Sequence, residues 1–107
     1  MANTIYLITD RYEHAEFYNI YGQYNTLKEA DKAWPKEVKA FKRCGPDDCH
    51  CFRLTVHNLD DNTYNELQKH LEKYNTEEDY CYSEDFTSFM EKLMETATEL
   101  KFTDGLD

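Results

Sequence analysis

An α+β fold follows from three features of this 107-residue sequence. The opening stretch is apolar on alternate and intervening positions alike, a later stretch alternates strictly, and three segments carry apolar residues at helical spacing. The predicted order is β-β-α-β-α-(β)-α. It forms a single domain over residues 1–107, with a three-stranded, mainly antiparallel sheet of order 2-1-3 and two to three helices packed on a face.

Thr4 to Thr9 reads as the first strand, with Ile5 and Leu7 on one side and Tyr6 and Ile8 on the other. Apolar residues on both sides place it inside the sheet. The polar stretch Asp10 to Glu16 reads as a turn, and Phe17 to Tyr24 as a second strand in hairpin relation to the first. Gly22 within it predicts a bulge or a close backbone approach.

Thr26 and Glu29 have capping-box spacing. The helix they open has a stripe of Leu27, Ala30, Trp34, Val38 and Phe41 and an outer face rich in lysine. Pro35 lies too deep to be an N1 proline, so a kink or a split is expected there. Cys44-Gly45-Pro46-Asp47-Asp48 has turn chemistry, and Cys49 to His57 alternates as a third strand.

A right-handed crossover makes the second and third strands parallel, which lets the third lie beside the first and antiparallel to it. Thr63 and Glu66 form a second capping box, with Asp60 or Asp61 as alternative caps. The stripe of that helix is Tyr64, Leu67, Leu71 and Tyr74. Tyr80-Cys81-Tyr82 reads as a short extra strand. The last helix, from Ser83 to Leu100, carries Phe86, Phe89, Met90, Leu93, Ala97 and Leu100 on one face; Thr103 to Asp107 reads as a frayed tail.

Charge is distributed unevenly. Residues 1–57 hold eight acidic and eight basic side chains, whereas residues 58–107 hold fourteen acidic and four basic, the whole net charge of −10. Such a field repels phosphates, so direct nucleic-acid binding is disfavoured and a basic protein partner is favoured. The aromatic content of 15% supplies a core that disordered chains lack. No apolar run reaches membrane-spanning length and no basic region precedes the first one, so a cytoplasmic protein without membrane contact is expected.

The candidate partner-binding residues are Glu77, Glu78 and Asp79 in the acidic connection, Glu84 and Asp85 in the first turn of the last helix, and Glu91, Glu95 and Glu99 on its outer side. The last three stand four apart, a like-charge ladder with a spacing of roughly 6 Å on a helix. That is near the separation of successive phosphates along one strand, which suggests carboxylates standing in for phosphates in a basic groove.

Metal binding and catalysis find less support. Cys44, Cys49 and Cys51 have C-x4-C-x-C spacing with no second pair, unlike the paired units that build zinc sites. The expectation is reduced thiols, no cofactor and no stoichiometric zinc, which elemental analysis of the purified protein checks. His14 lies between Glu13 and Glu16 in a polar turn, and His57 and His70 have no evident partner. No phosphate loop, dinucleotide fingerprint, nucleophile elbow or H-E-x-x-H occurs, so no catalytic residue is assigned and no enzyme is expected.

The segments Ile5-Tyr6-Leu7-Ile8-Thr9 and Gly22-Gln23-Tyr24-Asn25-Thr26-Leu27-Lys28-Glu29-Ala30 give the first half, Ile5 to Val56, a resemblance to small uncharacterised β-β-α-β domains of phages and prophages. The resemblance carries over no catalytic or binding residue, and the acidic C-terminal half departs from it. It implies a mobile-element setting, in which short acidic proteins inhibit host defence or transcription machinery. An anti-CRISPR-like inhibitor acting in the host cell on a basic nucleic-acid-binding protein, such as a CRISPR effector, is the function this suggests. The alternative is a structural or adaptor module that self-associates as a homodimer through Tyr18, Tyr21 and Tyr24 of the second strand.

Overall fold

The computed structural model describes residues 3–12, 18–44 and 50–102, and gives the backbone alone at 10–12, 18, 40–44 and 50–51. The strands are β1 (Asn3–Tyr12), β2 (Tyr18–Tyr24), β3 (His50–Leu59) and β4 (Thr98–Phe102). The helices are α1 (Leu27–Cys44), α2 (Asp61–Thr76) and α3 (Glu84–Glu95), with a single 3-10 turn, Tyr80–Tyr82, before α3. All neighbouring strands are antiparallel and their order is β2-β1-β3-β4. The expected order 2-1-3 is therefore present, enlarged by a fourth strand that the sequence did not signal.

Both faces of the sheet are covered. Ile5 and Leu7 of β1, with Leu59 of β3, pack against Leu67 of α2 and Phe86, Phe89, Met90 and Leu93 of α3. On the other face, Ile8, Leu54 and Phe52 pack against Ala30, with Ala33, Trp34 and Val38 of α1 beside them. The expectation of helices on one face is corrected to α1 on one side and α2 with α3 on the other. A strand apolar on both sides requires two covers, since an exposed face of Ile and Leu would forfeit about 1.5–3 kcal/mol per side chain.

The hairpin pairs Ile8 with Gly22 and Thr9 with Ile20, which leaves Tyr21 as the extra residue of a bulge. A Cβ at Gly22 would lie 2.6 Å from Cζ of Tyr24, so the missing side chain makes room for that ring. Thr26 accepts a hydrogen bond from the Glu29 N–H at 3.2 Å, and its hydroxyl donates to the Glu29 carboxylate. From there α1 runs through Pro35 as one helix. Pro35 is exposed, so the carbonyl it leaves without a helical partner can turn to water.

Three further elements differ from expectation. Of the caps the sequence offered for α2, the structure uses Asp60 and not Thr63, its side chain accepting from the Thr63 N–H at 2.7 Å. That bond also holds the Asp60 carboxyl below its ordinary value. The segment Tyr80–Tyr82 is a 3-10 turn and not a strand. Asp79, at φ 63° in the left-handed region, reverses the chain, and the Tyr82 N–H then bonds the Asp79 carbonyl at 3.0 Å.

The third correction bears on function. Ser83 caps α3 as expected, accepting from the Phe86 N–H at 3.2 Å, but the helix ends at Glu95 rather than Leu100. The Thr96 hydroxyl donates to the Leu93 carbonyl at 3.1 Å and competes with helix continuation. The chain beyond then pairs with β3, giving that strand a neighbour on its second edge. The tail 103–107, the turn holding His14, and the loop to Cys49 lie outside the described residues.

Candidate functional site

The helical layer formed by residues 60–95 carries eleven carboxylates and three lysines, leaving −8. Helix α1, across the sheet, carries six basic and three acidic residues, leaving +3. The charge imbalance along the chain thus becomes a charge difference between the two outer layers of the molecule. Its origin is topological, because the crossover through α1 places that helix on one face while α2 and α3 take the other.

Most predicted site residues lie on this acidic layer. Glu77, Glu78 and Asp79 are exposed in the turn between α2 and Tyr80. They line a hollow of about 350 Å³ with Tyr74, Tyr80 and Cys81. Burial, and then Asp79, push the Cys81 thiol above its ordinary value, so it is a poor nucleophile at neutral pH. Glu84 and Asp85 are exposed in the first turn of α3, where the helix dipole favours them. Glu91 and Glu95 are exposed further along the same helix.

Glu99 does not join them. It lies on β4, with its carboxylate 3.2 Å from Nε of Arg53 on β3. The expected ladder of three carboxylates is reduced to the pair Glu91 and Glu95. Lys101, two residues on, reaches Asp31 of α1 at 2.8 Å. The bulge in β4 sends Glu99 and Lys101 to opposite faces of the sheet, since Glu99 pairs with Thr55 and Lys101 with Leu54.

A groove of about 670 Å³ runs between α2 and α3, and the sequence had not signalled it. Asp60, Thr63, Glu66, His70 and Lys73 line its α2 side; Asp85, Ser88, Phe89 and Lys92 line its α3 side. His70 holds the centre. Its Nδ1 is 2.6 Å from the Tyr80 hydroxyl, and its ring stacks on Phe89 with centroids 4.4 Å apart. Partial burial lowers the His70 pKa, Glu66 and Asp85 act to raise it, and Lys73 adds to the lowering. The Lys73 ammonium lies over the Tyr80 ring, 5.8 Å from its centroid. The available signal was the spacing of Glu66, His70 and Lys73, which puts them on one ridge of α2 beside its apolar stripe.

His57 is also partnered, contrary to expectation. It is 1% exposed beneath α3, with Nε2 2.9 Å from the Thr55 hydroxyl. Burial lowers its pKa to about 4, partly offset by the Leu93 carbonyl, so it is neutral at pH 7. It has no route to a substrate and reads as part of the core.

Among the described residues, no three metal-ligating side chains gather at one point. Cys49 and the side chains of Cys44 and Cys51 lie outside the described residues. No described helix is long and apolar enough to cross a membrane. On the aromatic strand, Tyr21 rests on Phe52 with ring centroids 4.5 Å apart, and Tyr24 covers Gly22. The side chain of Tyr18 lies outside the described residues. Comparison with family models, with curated proteins and with solved structures finds no match.

Proposed function

We propose that this protein is an acidic binding module that occupies the basic, nucleic-acid-binding surface of a partner protein and so inhibits it. The observation that carries this reading is the segregation of charge across the sheet, −8 on the layer of residues 60–95 against +3 on α1. A solubilising surface needs only a modest net charge with both signs interspersed, which α1 shows and the opposite layer does not. Glu77, Glu78, Glu84, Glu91 and Glu95 supply much of the field and take no part in the apolar packing, so they are available to a partner. A phage-encoded inhibitor of a CRISPR effector is one form such a module takes. No catalytic role is assigned.

The five-site variant Glu77→Gln, Glu78→Gln, Glu84→Gln, Glu91→Gln and Glu95→Gln tests this. It keeps side-chain size and deletes five charges from exposed positions, so its melting temperature is expected to stay level or rise slightly. In affinity capture from host lysate at low salt, the native protein is expected to retain a basic partner that duplex DNA releases. The variant is expected to retain none. Capture that persists in high salt, resists duplex DNA and survives the five substitutions would sink this reading.

A further inference from the structure

We infer that the groove between α2 and α3 receives an arginine side chain of the basic partner, its guanidinium held between Glu66 and Asp85 against the aromatic wall of His70 and Tyr80. The inference deepens the reading of the acidic layer and rests on it. The charge of the lining points to the occupant. Asp60, Glu66 and Asp85 against Lys73 and Lys92 leave one negative charge, which a single cationic side chain neutralises.

The molecule's own Lys73 lies over the Tyr80 ring, so the wall suits a cation, and the arriving guanidinium takes the place of that ammonium. Partial burial, opposed by Glu66 and Asp85 and aided by Lys73, lowers the His70 pKa and so disfavours a positive charge on the ring. Apolar groups of Phe89, Leu93 and Leu59 line the groove and suit the aliphatic stem of a long side chain. The space of about 670 Å³ is far larger than a bare ion needs and falls within the range of organic ligand sites. Arginine fits better than lysine because a planar guanidinium can bond a carboxylate in a forked manner while lying flat against a ring.

The probe is a nine-residue arginine peptide, with a nine-residue lysine peptide as comparator, bound to the full chain. Two double variants, Glu66→Gln with Asp85→Asn and Glu91→Gln with Glu95→Gln, each remove two charges and so weaken the overall field equally. The first pair lines the groove and the second does not. The groove variant is expected to lose about tenfold in affinity for the arginine peptide and the outer variant less than about threefold. The native protein is expected to prefer the arginine peptide several-fold.

Glu66→Gln alone leaves the first turn of α3 intact and is expected to show part of the same loss, which separates a binding effect from unfolding. Equal losses in the two double variants, or equal affinity for the two peptides, would overturn the groove while leaving the acidic layer as the binding surface. Failure of the native protein to bind either peptide at low salt would overturn both.

Discussion

Phe86→Ala is expected to cost about 3–5 kcal/mol, a large share of a domain stability on the order of 5–15 kcal/mol. Phe86 is fully buried, and its ring meets three others: Tyr74 at 5.3 Å, Tyr80 at 5.5 Å and His70 at 6.2 Å between centroids. Those rings come from α2 and from the 3-10 turn, so one side chain joins three elements of the acidic layer. Removing it opens a cavity that neighbours on rigid elements cannot fill. The control is Leu100→Ala on β4. Leu100 is 42% exposed, so its truncation is expected to change stability by no more than about 0.5 kcal/mol. Urea denaturation of both variants is the measurement. A loss of less than about 1 kcal/mol for Phe86→Ala would mean that α3 does not pack as described.

The second large effect is on pH dependence. His57 titrates at about 4 in the folded protein and near 6.5 when unfolded. Above pH 6.5 it is neutral in both states and costs nothing. Between pH 6.5 and 4 the unfolded chain takes up a proton that the folded protein refuses, so stability falls as pH falls. Below about 4 both states are protonated and the loss levels off. The shift corresponds to a loss on the order of 3 kcal/mol across that window.

His57→Leu removes the titration, while the Thr55 hydroxyl that faced the ring keeps its bond to the Leu7 carbonyl. The difference in unfolding free energy between native protein and variant, measured at pH 7 and pH 4, isolates His57. Carboxylates and His70 titrate in both proteins and cancel. The native protein is expected to lose ground to the variant on acidification. A difference that stays constant over the window would show that His57 is not buried as a neutral group.

Much of the fold could be read from local pattern. The two-sided apolar character of Ile5 to Ile8 placed β1 at the centre of the sheet, and the stripe of Tyr64, Leu67, Leu71 and Tyr74 defined the inner face of α2. Thr26 and Ser83 marked helix starts because capping is satisfied within three or four residues of sequence. The same two-sided strand calls for a cover on each face, yet the helices were expected on one, and only the structure put α1 on one side and α2 with α3 on the other.

The end of α3 was not legible, because Ala97 and Leu100 continue the helical spacing of Leu93. Periodicity cannot register that an open edge of β3 competes for the same residues. That competition moved Glu99 out of the carboxylate row and onto Arg53. The groove escaped notice for a similar reason. His70, Tyr80 and Phe89 belong to three elements, and their proximity depends on the left-handed Asp79 that turns the chain back after α2.

Composition by itself determined that the chain has a core and that its second half is acidic. Whether that acidity forms one surface was decided only by tertiary structure. A long crossover must pass on one side of a sheet, and it carried the basic helix away from the acidic pair.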